Sequence, residues 1–209
     1  MLPPPVKVDS NVLRTYKAIL EVARTTRSGD PTANRFPWQA EVALSQLSEL
    51  AMSEQQFLRA RGDDSRLVIR VRTDSLPTRI YGGPVADKLS EFLQLGGEVR
   101  ILLAPGCDGA DVTNIRRFAG RQNVQIRKEK PGVLNIPRNH FFVVDNLGYR
   151  YEAEHHPFSG DEFRNGDDFH PAIPARICFN DTEGAGVLSQ IFDQSWAVAD
   201  DILPKLREV

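Results

Sequence analysis

The stretch RNHFFVVDNLGYRYE, residues 138–152, contains the strongest local signals of secondary structure. Aromatic and β-branched residues dominate residues 140–144 and 149–151, and residues of these types favour β-strands. Between them, Asn146 to Gly148 supplies the asparagine and glycine typical of a tight hairpin turn. The stretch therefore predicts two neighbouring antiparallel strands, the first of them almost wholly apolar.

The segments upstream of this hairpin alternate between short apolar runs and helical patterns. Strands are predicted at RLVIRVRT (66–73), EVRILLAP (98–105) and NVQIRKE (123–129). The triplet GGP at 82–84 opens a helix that Gly96 and Gly97 close, and VTNIRRFAGR (112–121) has the pattern of a shorter one. Strands that alternate with helices predict an α/β fold, with a mixed β-sheet sandwiched between helices.

Downstream of the hairpin, the sequence predicts a long polar loop at 155–174, a last strand at ARICFND (175–181) and a closing helix. The apolar residues of that helix recur at helical spacing, which predicts one continuous buried face. They are Leu188, Phe192, Trp196, Ala199, Leu203 and Leu206.

The first 60 residues predict a pair of helices. The first begins behind the capping candidates Asp9 and Ser10, and the second runs from Trp38 to about Ala60, with a loop at 27–37 between them. We therefore expect an N-terminal helical extension, residues 1–62, joined in one compact unit to an α/β domain, residues 63–209.

The composition is that of an ordinary globular chain. With 41% hydrophobic residues, 26% charged residues and a net charge of −2, the 209 residues fit neither a disordered nor a membrane protein. The start MLPPPVKVDS has no basic region followed by an apolar one, so we expect no secretory signal, and no apolar run approaches the roughly 20 residues of a membrane span. We expect no membrane span and a cytoplasmic location. Cys107 and Cys178 are too few for a disulfide framework.

Several segments, taken in their order, resemble one half of the phospholipase D superfamily across residues 66–203. They are LGGEVRILLAP (95–105), NVQIRKE, the strand that runs into the hairpin, and CFND followed by GAGVLSQIFDQSWAVAD (178–200). The resemblance implies that two halves pack together, here as a homodimer, and that two HxKxxxxD motifs meet at one site. In such a site one histidine attacks phosphorus, the other protonates the leaving group, and the lysines neutralise the phosphoryl oxygens.

The motif can be aligned with this chain in two registers. If His140 is the family histidine, position 142 is Phe instead of Lys and position 147 is Leu instead of Asp. If Asp145 is the family aspartate, Arg138 and His140 replace the histidine and the lysine. We prefer the second register because FFVVD then keeps an apolar run that ends in Asp.

In the second register the nucleophile is replaced by an arginine. A guanidinium stays protonated and cannot attack phosphorus, but it chelates phosphate through two hydrogen bonds. We interpret the chain as a catalytically degenerate module for binding or assembly, with nucleic acid or another polyanion as the ligand. The alternative is an active phosphodiesterase or nuclease that uses His140 and Asp145 in a rebuilt dimeric or metal-dependent site.

Charge is distributed unevenly along the chain, which suggests where a ligand binds. Residues 100–138 hold eight basic and three acidic residues, whereas residues 145–170 hold seven acidic and two basic ones. This asymmetry favours a polyanion at one surface or charge pairing across a homodimer, while scattered surface arginines are the simpler reading. The predicted ligand-binding residues are Arg127, Lys128, Lys130, Arg138 and His140.

The loop at 155–174 and the residue before it contain weak candidates for a metal site, Glu154, His155, His156 and His170. Imidazoles and carboxylates bind zinc or manganese, but the spacing matches no H-x-x-x-H or H-E-x-x-H pattern. A solvated acidic loop explains the composition as well. We expect no cofactor, with a divalent metal as the one exception. The N-terminal helices carry no chemical motif and are candidates for contact with a protein partner.

Overall fold

A computed structural model describes residues 9–34, 37–74, 76, 81, 83–105, 123–132, 139–153 and 175–202. The fold is α/β, as predicted, with one mixed sheet of eight described strands and four described helices. The helices are α1 (Ser10–Thr25), α2 (Pro37–Ala60), α3 (Gly83–Gln94) and α4 (Thr182–Val198). The strands are β1 (Thr32–Asn34), β2 (Val68–Thr73), β3 (Glu98–Leu103), β4 (Val124–Lys128), β5 (His140–Val144), β6 (Gly148–Glu152), β7 (Ala175–Phe179) and β8 (Asp200–Asp201).

The strands lie in the order β1-β7-β6-β5-β2-β3-β4-β8. Strands β2, β3 and β4 run parallel, whereas β5 is antiparallel to β2 and opens an antiparallel run through β6 and β7. The predicted hairpin is present, and its register pairs His140 with Glu152 and Val144 with Gly148. Strand β5 lies in the middle of the sheet, where the pairing changes from parallel to antiparallel. Residues 140–144, the first strand of the predicted hairpin, are therefore central strand residues.

Strand β5 is buried on both of its faces. Phe142 and Val144 belong to the larger apolar layer, which α1, α2 and α3 form with one face of the sheet. Phe141 and Val143 face the other way and pack with Phe192 and other residues of α4. The continuous apolar run of this strand is explained by this double cover.

The segment that we predicted as a loop, residues 27–37, contains a strand, so that prediction is wrong there. Thr32, Ala33 and Asn34 pair antiparallel with Ile177, Arg176 and Ala175 of β7. A strand of three residues is too short to show alternation, which is the signal that a sequence offers. The N-terminal segment thus supplies an edge strand of the sheet.

The closing helix is shorter than predicted, because α4 ends at Val198 and Ala199 is extended. Asp200 and Asp201 then pair with Lys128 and Arg127 of β4. Leu203 and Leu206, the predicted helix at 112–121 and the polar loop at 155–174 lie outside the described residues. Among the described helices, none is long and apolar enough to cross a membrane.

Candidate functional site at the carboxyl end of the parallel strands

Several polar residues of the central strands lie at one edge of the sheet, the edge formed by the carboxyl ends of the parallel strands. Strands β2, β3 and β4 end there at Thr73, Leu103 and Lys128, and β5, which runs the opposite way, begins there at His140. In open α/β sheets, ligands bind at the carboxyl ends of the parallel strands. This edge is therefore the candidate site.

His140 is held by the residue that follows β2. Its side chain is buried, and its Nε2 atom lies 3.2 Å from the backbone nitrogen of Asp74 and 2.9 Å from Asp74 Oδ1. A neutral imidazole accepts the backbone N–H at Nε2 or, in its other tautomer, donates from Nε2 to the carboxylate, and a protonated one also donates from Nε2 to the carboxylate. In both states Nε2 is directed at Asp74, a partner that the sequence did not reveal.

Next to His140 lies a buried group of three residues, Asn34, Arg150 and Glu152, which we call the Arg150 cluster. Glu152 is the direct cross-strand partner of His140 on β6. Arg150 Nη1 donates to Glu152 Oε2 at 3.1 Å, and Arg150 Nη2 donates to Asn34 Oδ1 at 3.3 Å. Glu152 is 1% exposed and Arg150 is 8% exposed. A buried ion pair of this kind needs its remaining polar atoms satisfied as well.

Two tyrosine hydroxyls border the Arg150 cluster. Burial raises the pKa of Tyr16 to about 12, against the opposing effects of its hydrogen bond with Asn34 and of the charge of Arg150. Burial also raises the pKa of Tyr81 well above its ordinary value, and the hydroxyl has a hydrogen bond with Thr73 that opposes the rise. Both phenols are therefore neutral at physiological pH, and each brings a hydroxyl to the cluster.

Arg72 lies at the same edge on the opposite face of the sheet. Its Nε and Nη2 atoms donate to the two carboxylate oxygens of Glu129 at 2.7 and 3.2 Å, and its Nη1 atom donates to Asn139 Oδ1. Asn139 precedes His140, so this contact fixes the entry of the chain into β5. Arg72 thus has a structural role, because it links the residue before β5 to the residue after β4.

The predicted ligand-binding residues do not share one surface. Lys128 lies on the His140 face of the sheet, separated from His140 by two strands, or about 14 Å. Arg127 points to the opposite face, where it donates to Trp196 O at 2.7 Å and stacks on the indole ring. Lys130 is 48% exposed and pairs with Asp200 at 3.0 Å. Arg138 lies outside the described residues.

Asp145 lies at the other end of β5 from His140, at a distance of about 17 Å. Its Oδ2 atom accepts from the backbone nitrogen of Val68 at 2.8 Å, and its Oδ1 atom accepts from Arg70 Nη1 at 2.6 Å. The carboxylate joins the end of β5 to the beginning of β2. Within this chain, the structure does not bring the candidate pair His140 and Asp145 together.

The weak metal candidates Glu154, His155, His156 and His170 lie outside the described residues. Within the ranges that are described, no three His, Cys, Asp or Glu side chains are grouped closely enough to hold a metal ion.

The sequence matches no protein-family model and no curated protein. Solved structures do resemble the fold. NucT from Helicobacter pylori has a TM-score of 0.56 at 12% identity, and the alignment covers 82% of this chain and 98% of that one. Nuc from Salmonella typhimurium, described as a phospholipase D family member, has a TM-score of 0.50 at 15% identity, with the same two coverages. Polyphosphate kinase from Porphyromonas gingivalis has a TM-score of 0.51 at 12% identity over 93% of this chain and 30% of that one. The chain has a phospholipase D-like fold.

Proposed function

We propose that this phospholipase D-like fold binds phosphate-bearing ligands, nucleic acid above all, and does not hydrolyse them. The main support for the proposal is the environment of His140 on β5, the strand that aligns with the HxKxxxxD motif. His140 is its one polar residue, and Nε2 of this side chain is directed at Asp74. A nucleophilic imidazole needs a nitrogen lone pair that is free to face phosphorus.

The second support for lost catalysis is Phe142, two residues after His140 on the same face of the strand. The ring is 1% exposed and belongs to the larger apolar layer. A phosphoryl-transfer site needs a cation where charge develops on the phosphoryl oxygens. In the register that takes His140 as the family histidine, this position would hold the lysine, and the chain supplies a core residue there instead, which argues against His140 as a nucleophile.

Support for a phosphate-bearing ligand comes from the basic residues at the same edge. Lys128 ends β4 on the His140 face, and Lys130 follows it with its side chain half exposed. The ion pair of Lys130 with Asp200 is exposed, and such pairs contribute little, so phosphate can replace the carboxylate at small cost. Arg138 enters this proposal from the sequence alone.

The test is fluorescence anisotropy with labelled single-stranded and double-stranded DNA over a range of salt concentrations. We expect binding that weakens with salt, because each phosphate contact to duplex DNA contributes a slope of about 0.9 in a plot of log K against log salt. The double variant Lys128→Gln/Lys130→Gln is expected to lose about two such contacts. Lys17→Gln, an exposed change on α1, is the matched control. No binding at low salt, or an unchanged slope in the double variant, would rule out this site.

One observation favours the alternative of an active hydrolase. A carboxylate beside an imidazole, as in the contact between Asp74 and His140, is also the arrangement that orients a catalytic histidine. If turnover is found, EDTA separates its two routes, since attack by His140 survives EDTA and metal-assisted hydrolysis does not. His140→Ala is expected to abolish only the first route.

The assembly belongs to the same proposal. We expect a homodimer, in which basic and acidic surfaces of the two copies meet, in the cytoplasm. Helix α1 exposes Val12, Ile19 and Val22, and we keep this helix as the candidate contact for a further protein partner. Light scattering on the purified chain tests the dimer, and a mass of one chain at micromolar concentration would count against it.

A further inference from the structure

The Arg150 cluster contains two buried polar atoms that have no hydrogen-bond partner within the described part of the chain. They are Glu152 Oε1 and Arg150 Nε, one acceptor and one donor. Buried charged groups normally satisfy every polar atom, because an unpaired one carries its full cost of desolvation. The cluster is therefore an incomplete binding arrangement in which an arginine and a carboxylate make one contact at 3.1 Å.

A second arginine–glutamate pair in the same sheet has the same spacing but is partly exposed to solvent. Glu98 and Arg100 are also two residues apart on one strand, β3, and Arg100 Nε donates to Glu98 Oε1 at 2.6 Å. That oxygen also accepts from Gln125 at 3.4 Å, and the side chains of the pair are 16% and 28% exposed. The Glu98 pair is thus a solvated surface contact, whereas the Arg150 pair is closed off from water and unsatisfied.

We propose that Arg150 is the anchor of an oxyanion site and that the carboxylate of Glu152 occupies this site in the present structure. The ligand class is a phosphate group, since a guanidinium binds phosphate and carboxylate with the same planar set of donors. His140 lies directly across from Glu152. The hydroxyl of Tyr81 is near enough to Arg150 and Glu152 for both charges to influence its pKa. The choice of phosphate among oxyanions rests on the function proposed above.

The unpaired atoms explain why Glu152 is a replaceable occupant. Glu152 keeps Arg150 from being an uncompensated buried charge, but it leaves Nε unused and one of its own oxygens without a donor. A phosphate has more acceptor oxygens than a carboxylate and can engage Nε together with the neighbouring hydroxyl and imidazole donors. Binding requires Glu152 to leave the site, so Glu152 acts as an internal competitor that weakens phosphate affinity.

The test compares inorganic phosphate binding to the purified full chain by calorimetry in four proteins. Glu152→Gln removes the competing charge and keeps the side-chain volume, and we expect its affinity to rise about tenfold over wild type. Adding Arg150→Met to Glu152→Gln is expected to remove the gain. Glu98→Gln is the matched control, because it removes the carboxylate charge from the Glu98–Arg100 pair, which has the same spacing. Its affinity for phosphate is expected to equal that of wild type.

A folded Glu152→Gln variant that binds phosphate no better than wild type overturns the inference. If the variant does not fold in phosphate-free buffer, its melting temperature is followed as phosphate is added. Recovery of a cooperative transition supports the inference, because the ligand then replaces the lost carboxylate. Failure to recover overturns it.

A short labelled DNA measured with the same four proteins separates this inference from the proposed function. A gain for DNA that parallels the gain for phosphate identifies a phosphodiester as the natural ligand, and a gain for phosphate alone identifies a free or terminal phosphate. Salt-sensitive DNA binding with no effect of Glu152→Gln would leave the proposed function standing and remove the Arg150 site. If Glu152→Gln raises the affinity for phosphate in a chain that binds no DNA, the Arg150 site stands and the proposed function is removed.

Discussion

The two ends of β5 hold their polar residues in opposite ways. At the carboxyl end, Asp145 uses both of its oxygens, one on the backbone of Val68 and one on Arg70. At the amino end, His140 faces Asp74 and Glu152, and the neighbouring Arg150 cluster keeps two buried atoms unpaired. The carboxyl end of β5 is thus a fully hydrogen-bonded structural junction, whereas the unpaired buried atoms lie beside its amino end.

The largest effect is expected from Phe142→Lys, which places a lysine two residues after His140, as the HxKxxxxD motif would require if His140 were its histidine. The change removes a ring that is buried in the larger apolar layer and buries an ammonium group there. We expect it to lower the free energy of unfolding by more than about 4 kcal/mol and to create no phosphodiesterase activity. Urea denaturation and a bis-p-nitrophenyl phosphate assay measure the two outcomes, with Phe142→Leu as the control. A stable, active variant would show that the site lacked only its lysine.

Asp145→Ala removes the carboxylate that joins the carboxyl end of β5 to β2. The backbone N–H of Val68 and the half-buried guanidinium of Arg70 both lose a partner. Because hydrogen bonds to charged groups are the stronger ones, we expect a loss of about 2–3 kcal/mol in urea denaturation. DNA affinity of the folded variant should equal that of wild type. A clear fall in affinity without a fall in stability would place Asp145 in the binding site.

Tyr16→Phe acts at the amino end and makes a prediction about pH. The variant leaves the buried side-chain nitrogen of Asn34 without its hydroxyl partner, and the expected cost is about 1–2 kcal/mol at neutral pH. The folded-state pKa of Tyr16, about 12, is higher than the value of about 10 in the unfolded chain. Its contribution to stability is therefore complete below pH 10 and is lost as the pH rises through 12.

Chemical denaturation of wild type and Tyr16→Phe between pH 8 and about pH 12 checks this sign. The difference between the two proteins should shrink as the pH rises. A difference that is constant over the whole range would mean that Tyr16 titrates alike in the folded and unfolded chains.

The smallest effect is expected from Asp200→Asn, which removes the exposed partner of Lys130. Exposed ion pairs contribute little, so the free energy of unfolding should change by less than about 0.5 kcal/mol. DNA affinity should rise slightly at low salt, because one ammonium group is freed and one repelling charge is lost. Anisotropy measures the affinity, and a weaker complex would place Lys130 outside the DNA contact.

Much of the fold could be predicted because periodicity reports burial. The hairpin, the three parallel strands and the first two helices follow from apolar spacing and turn residues. Strand β1 has three residues and no alternation to detect. The end of α4 was missed because Leu203 and Leu206 continue the helical spacing beyond Val198, and nothing in the sequence before Pro204 marks the pairing of Asp200 with β4.

The candidate site was less accessible to sequence reasoning because its partners are distant along the chain. His140 could be singled out from the local sequence, but Asp74 and Asn34 reach the site only through strand pairing. The spacing of Arg150 and Glu152 does predict that they share a face, since residues two apart on a strand do so. Their burial depends on the edge strand β1 and on α1, and composition does not reveal it.

Binding without hydrolysis can be tested in one experiment on one sample. End-labelled DNA is incubated with the full-length protein with and without Mn²⁺, its anisotropy is recorded, and the same sample is then resolved by size, beside His140→Ala. We predict a salt-sensitive complex whose DNA stays intact in every lane. Cleavage by the wild-type protein that is lost in His140→Ala would contradict it and identify His140 as a catalytic residue.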